Sequence, residues 1–229
     1  MNTSVSPTAR LRIEFYFDFI CPWCLIGKRN LEAALAALEA RRPGVSVQIA
    51  WRPVELLPQT PVVGVPYEAF YLARLGSAQA VAQRRAQVRQ AARSAGLELA
   101  FERIRVMPNT AAAHALVARA TDGADAHNGQ DNGQANDKQA ALIERLFNAY
   151  FIEGEDIGDA ATLSRLAQAC GVDDAASARR AADAPMRIDG VPYFVFNGRY
   201  ALSGAQPPEV MLDAILQATD LAEAQHHDA

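Results

Sequence analysis

Leu11-Arg12-Ile13-Glu14-Phe15-Tyr16-Phe17-Asp18-Phe19-Ile20 is dense in β-branched and aromatic side chains and predicts a buried strand over about 11–19. Immediately after it, Cys21-Pro22-Trp23-Cys24 leads into a stretch whose apolar residues recur at helical spacing, which predicts a helix to about residue 40. Pro43-Gly44 turns the chain into a second strand over 45–54. A strand–helix–strand unit of this size predicts a parallel pair with a right-handed crossover. Pro58, Pro61 and Pro66 then punctuate an irregular link.

From there the pattern becomes helical and rich in Ala, Arg and Gln. Helices are predicted over 66–75, 77–95, 109–121, 137–152, 160–170 and 174–183, with caps at Ser77, at Asn109 with Thr110, and at Asp159. The polar run at about 122–137 carries almost no apolar side chain to offset the entropy of ordering and reads as a flexible surface loop. Strand character returns in Val191-Pro192-Tyr193-Phe194-Val195-Phe196. Asn197-Gly198 follows as a hairpin turn, and Arg199-Tyr200-Ala201-Leu202-Ser203 as the returning strand. Pro207-Pro208 opens a last helix to about residue 218. The expected organisation is α/β, with 1–62 and 186–229 forming one discontinuous domain and 63–185 an inserted helical domain.

Composition narrows the field without deciding it. Half of the 229 residues are hydrophobic and 21% are charged, and the net charge of −4 gives no basic surface for a nucleic acid or an anionic membrane. The first ten residues lack a basic start followed by an apolar stretch, so no secretory signal is expected, and the expected location is cytoplasmic. In a reducing compartment stable structural disulfides are rare, which turns Cys21 and Cys24 toward catalysis, redox sensing or metal binding.

Three residues of helix bring positions i and i+3 to one face, within the ~4.4–6.8 Å Cα separation that a disulfide needs. A cysteine at a helix N-terminus also meets unpaired N–H groups and the positive end of the helix dipole, which favour the reactive thiolate. Structural zinc generally needs four ligands. No second Cys-x-x-Cys exists, and only Cys170, His114, His127, His226 and His227 remain to supply them, so no metal is expected. Cys170, before Gly171 at a helix end, reads as a small buried hydrophobe. Asn109 reads as a helix cap. His114, five residues on, is either a satisfied structural histidine or a modulator of Cys21. The Val191-Pro192 bond could be trans, entering a strand edge, or cis, offering backbone to an extended peptide; the residues alone favour trans.

Three segments, Phe15 to Cys24, Gly190 to Phe196 and Ser203-Gly204-Ala205-Gln206-Pro207, together resemble the DsbA family of thioredoxin-fold oxidoreductases, within its FrnE-like cytoplasmic branch. The resemblance implies a thioredoxin-like fold (βαβ … ββα) carrying an inserted helical domain. It implies Cys21 as exposed nucleophile, Cys24 as buried resolving thiol, a cis Val191-Pro192 bond, and Pro22 and Trp23 shaping the substrate surface with Val191 and Pro192. The expected activity is thiol-disulfide exchange with thiol- or disulfide-containing proteins. No cofactor is expected beyond the redox-active cysteines, with glutathione as a candidate co-substrate. Two other readings share the sequence. One is the glutathione-dependent 2-hydroxychromene-2-carboxylate isomerases and kappa-class transferases, which typically place serine where Cys21 stands. The other is a redox-regulated, chaperone-like binding module.

Overall fold

The computed structural model describes residues 10–120, 132–172 and 188–227. They divide into two compact units, one of 10–17, 23–52 and 188–227, the other of 18–22, 53–120 and 132–172.

The first unit holds β1 (Arg10–Phe17), α1 (Pro22–Arg41, from Trp23 on), β2 (Ser46–Pro53), β5 (Tyr193–Phe196), β6 (Tyr200–Ser203) and α7 (Pro208–His227). Its four strands lie in the order β2-β1-β5-β6, with β1–β5 and β5–β6 antiparallel. The aromatic run of β1 is buried because its partner strand is aromatic too: Phe15 sits opposite Phe194 with ring centroids 4.5 Å apart, and Ile13 sits opposite Phe196. Trp51 of β2 packs on Phe15 with ring centroids 5.6 Å apart and the planes tilted. From the helices, Leu31, Ala34 and Leu38 of α1 and Met211, Ile215 and Ala218 of α7 are buried at the i, i+3/i+4, i+7 spacing of an amphipathic helix.

Asn197 ties three of these elements together. It sits in the left-handed region at φ +49° with Gly198 at +69°, the pair of conformations that a tight hairpin turn demands. Its N–H donates to the Arg12 carbonyl at 2.8 Å, its Oδ1 accepts from the Arg12 N–H at 2.7 Å, and its Nδ2 donates to the Ala218 carbonyl at 3.1 Å.

The second unit is mainly helical. A two-residue ladder joins β3 (Val65–Pro66) to β4 (Val106–Met107); the sequence pattern was too short to announce either strand. Around it lie α2 (Tyr67–Leu75), α3 (Ala78–Ser94), α4 (Ala111–Arg119), α5 (Asn132–Asn148), which runs on as a π-helical turn over Ala149–Glu153, and α6 (Ala160–Ala169). Ser77 and Asp159 cap α3 and α6 by accepting from the Ala80 and Thr162 N–H groups. Phe19 packs here, its ring 5.1 Å from Phe147 and 4.8 Å from His114. Leu56 donates its N–H to Asp18. These contacts place 18–22 and 53–62 in the helical unit, rather than with the strands as the boundary at 62/63 had it.

Two helix ends differ from the sequence reading. The polar run expected as loop to 137 is helical from Asn132, because extending a helix already nucleated by the apolar residues after Gln139 costs far less than starting one. The last helix continues from about 218 to His227, since 219–227 is free of Gly and Pro. Residues 122–131 of the expected loop and the expected helix over 174–183 lie outside the described residues. Among the described residues, no helix is long and apolar enough to cross a membrane.

One ion pair gives the sheet a pH dependence. Glu14 of β1 accepts from Arg52 of β2 at 2.7 Å, and also from Tyr16 and Arg12. The Arg52 hydrogen bond, outweighing partial burial, holds the Glu14 carboxyl below its ordinary value of 4.5. A carboxylate whose proton affinity is lowered by folding stabilises the fold above the unfolded value and loses that contribution as pH falls through the folded one. Urea midpoints measured from pH 7 down to 3 should therefore fall more steeply below pH 4.5 for the wild type than for Glu14→Gln. Equal slopes would assign the acid sensitivity elsewhere.

Candidate functional site

The chemistry begins at a turn. After β1 the chain folds back so that the Cys21 N–H donates to the Asp18 carbonyl at 3.1 Å, and α1 starts at the next residue, Pro22. Proline suits that first helical position because it has no N–H to leave unbonded. Cys21 therefore immediately precedes the helix, at the end where backbone N–H groups have no intrahelical partner, and Cys24 lies in the first turn. Cys24 is fully buried and Cys21 retains 7% of its surface, so the nucleophile expected to be exposed is much more enclosed. Its surroundings explain the enclosure. The Tyr71 phenol of α2 is pushed up in proton affinity first by its own burial and next by Cys21, so the two share one environment. Tyr71 meets Tyr67 edge-on with ring centroids 4.9 Å apart; the Tyr67 phenol is raised in proton affinity by burial and its ring carries the Arg85 guanidinium at 5.2 Å. Pro22 and Trp23 are half-buried.

Beneath Cys21, Asp18 is fully buried, its Oδ2 accepting the Leu56 N–H at 2.7 Å and its Oδ1 lying 3.4 Å from Nε2 of His114, itself 3% exposed. Asn109 accepts the Ala111 N–H at 3.0 Å and so caps the start of α4, while its Nδ2 donates to the Thr60 carbonyl at 2.7 Å. It anchors the 53–65 link and the helix that carries His114.

In the strand-bearing unit, the Val191–Pro192 peptide is cis, as the resemblance implied and contrary to the trans bond that the residues alone favoured. Pro192 is buried and Val191 half-buried. The Pro192 carbonyl accepts the Gly204 N–H at 2.8 Å, closing the start of β5 on the end of β6. The following segment is tethered to α1, because Asn30 Nδ2 donates to the Gln206 carbonyl at 2.9 Å. Gly27 lets the helix approach: a Cβ there would lie 3.1 Å from Cγ of Pro192 and 3.2 Å from Cζ of Phe194.

Cys170 terminates α6, where Gly171 takes a left-handed φ of +65°, and is half-buried, not the enclosed hydrophobe expected. Burial raises its thiol's proton affinity, the reverse of what a reactive thiolate needs. Sequence reasoning missed Asp18, Asn30, Tyr67 and Tyr71. An acidic residue amid five aromatic or aliphatic neighbours in 15–20 was the one available signal, since an ionisable group in such a run needs a buried partner.

The family model of the DSBA-like thioredoxin domain matches residues 12–186. The chain belongs to that family. The match takes in Cys21 and Cys24 and ends before Val191-Pro192. A probable DsbA oxidoreductase from Streptomyces coelicolor is similar in structure with a TM-score of 0.73 and 28% identity, covering 91% of this chain and 89% of that one. The uncharacterized YwbO protein of Bacillus subtilis is 26% identical over 169 residues, 72% of this chain and 68% of its own. A 2-hydroxychromene-2-carboxylate isomerase, 14% identical with a TM-score of 0.51 over 95% of this chain and 98% of its own, shares the fold alone. The fold is thus the thioredoxin-like one that the three segments implied.

The close approach at Gly27 makes a direct test of how this family member holds its proline strand. Gly27→Val should lower stability by about 1–3 kcal/mol, the usual cost of overpacking, read as a reduced urea midpoint with unchanged slope. A midpoint at or above the wild type would mean that α1 and Pro192 separate without cost.

Proposed function

We propose that the chain is a thiol-disulfide oxidoreductase in which Cys21 is the attacking thiol and Cys24 the resolving one. The observation that carries the reading is the placement of Cys21 directly before the first residue of α1, with Cys24 one turn on and fully buried. The helix end favours the Cys21 thiolate, and its residual opening admits a sulfur where Cys24 admits none.

In the reducing direction, the Cys21 thiolate attacks one sulfur of a substrate disulfide. That S–S bond breaks, a mixed disulfide forms at Cys21, and the second substrate sulfur leaves as a thiolate that takes up a proton. Cys24 then gives up its proton and attacks the Cys21 sulfur. The Cys21–Cys24 disulfide forms, the first substrate sulfur leaves, and two electrons have passed to the substrate. Run backwards, a substrate thiolate attacks the Cys21–Cys24 bond and the substrate is oxidised.

Proteins are the substrate class we favour. Leu56, Val62, Val63 and Leu72 are large apolar side chains left exposed, Val62 and Val63 above 80%, and all belong to the unit that holds Cys21. Leu56 is the very residue whose N–H bonds Asp18, and Leu72 adjoins Tyr71. Exposed apolar residues in the unit that holds the reactive thiol suit the uncovered segments of an incompletely folded protein. Pro22, Trp23, Val191 and Pro192 are proposed as substrate-binding residues, with glutathione as the small thiol that resets the pair in a cytoplasmic setting. The two compact units are proposed to be a thioredoxin-like domain and an inserted helical domain.

Cys21→Ser should abolish turbidimetric insulin reduction, whereas Cys24→Ser should retain the first step only and accumulate mixed disulfides, seen as dithiothreitol-sensitive adducts on non-reducing gels. Turnover by Cys21→Ser within twofold of the wild type would sink the assignment.

A further inference from the structure

A buried carboxylate and imidazole meet at the turn that carries Cys21. Asp18 has no exposed surface and His114 only 3%, and they face each other at 3.4 Å from Oδ1 to Nε2. A carboxylate so enclosed requires a compensating charge or hydrogen bonds. The Leu56 N–H supplies one bond to the other oxygen, at 2.7 Å. The same residue's carbonyl receives the Cys21 N–H, so any charge left on Asp18 sits at the foot of the turn that carries the reacting sulfur. We propose that His114 is the counter-ion of Asp18 and that the pair is a positioning device for Cys21, neutral while His114 is protonated and carrying one negative charge once it is not.

The consequence follows from the sign of the charge. A negative group near a thiol disfavours the thiolate, and a cancelled one does not. Titratable groups also reach the pair from neighbouring elements. Tyr150, from the π-helical turn, is a phenol held neutral by burial; the charges of Asp18 and Asp156 add to the same effect. Phe19 and Phe147 present only rings, Tyr71 beside Cys21 is a neutral phenol, and Glu55 on the 53–65 link is exposed. His114 is the side chain that faces the Asp18 carboxylate at 3.4 Å, and on this proposal its protonation couples the reactivity of Cys21 to pH. A histidine suits that task because its ordinary titration range lies near neutrality.

The inference rests on Cys21 being the attacking thiol, and its test is independent of turnover. The rate of Cys21 carbamidomethylation by iodoacetamide is measured on the full-length reduced protein between pH 5 and 9 and read by peptide mass spectrometry. His114→Gln leaves the Asp18 carboxylate uncompensated, and its alkylation at neutral pH should slow by about tenfold, equivalent to the midpoint rising by one pH. The double variant D18N/H114Q removes that charge as well and should return to within about threefold of the wild type. A merely structural pair would behave oppositely, the double variant being no faster than the single one. That result, or an unchanged His114→Gln, overturns the proposal.

Should either variant fail to fold, the unaltered protein still decides. By linkage, a pair coupled to the Cys21 thiolate must sense the sulfur in return. The His114 ring resonances should therefore titrate at a higher pH in the reduced protein than in the Cys21–Cys24 disulfide form, and coincident titrations overturn the coupling. Insulin reduction by the wild type reports on the oxidoreductase reading separately, so active enzyme with coincident titrations would discard this inference alone.

Discussion

A buried aspartate at the end of a strand is the constraint on which the site depends. Asp18 follows directly on β1, and its main-chain carbonyl takes the Cys21 N–H while its carboxylate takes the Leu56 N–H and faces His114. One residue thereby sets the turn that starts α1 and pins the 53–65 link that leads to α2. It also requires a partner from α4. Desolvating a carboxylate costs several kcal/mol unless its oxygens are bonded, so the 18–22 turn, the 53–65 link and α4 are coupled within the helical unit. The position of Cys21 is a by-product of satisfying that one buried group.

The remaining supports of the site are close backbone approaches rather than charges. Gly27 admits the ring of Pro192 against α1, and Gly204 returns an N–H to the Pro192 carbonyl. Asn30 reaches from α1 to the Gln206 carbonyl. Asn197 performs the equivalent work at the far end of β5, where it joins the β1 backbone to the end of α7. Small residues and amides recur at these points because they bring backbones together without a side chain to accommodate, or satisfy main-chain groups that the sheet leaves unpaired.

Much of this was legible before any coordinates. The aromatic run into Cys21-Pro22-Trp23-Cys24, the helix after it and the Asn197-Gly198 hairpin are local patterns. Period and turn chemistry act over a few residues, so β1, α1, β5 and β6 fell close to their expected bounds. Helix ends were read less well because they are set by propagation: α5 starts at Asn132 within a polar run, and α7 runs on to His227. The β3–β4 ladder escaped notice altogether, since two residues hold no periodicity and the pairing of Val65 with Met107 spans a long stretch of chain.

The sequence by itself determined the kind of chemistry, because a dithiol at a strand-to-helix junction is encoded in consecutive residues. It also determined the family, through three short segments whose order and residues belong together. Only the tertiary structure decided what surrounds the sulfur. That Asp18 meets His114 across 96 positions and that Tyr71 shares the surroundings of Cys21 are outcomes of packing between distant elements. A buried charge takes its partner from whichever helix the fold brings to it, and nothing in the spacing of the residues records which helix that is.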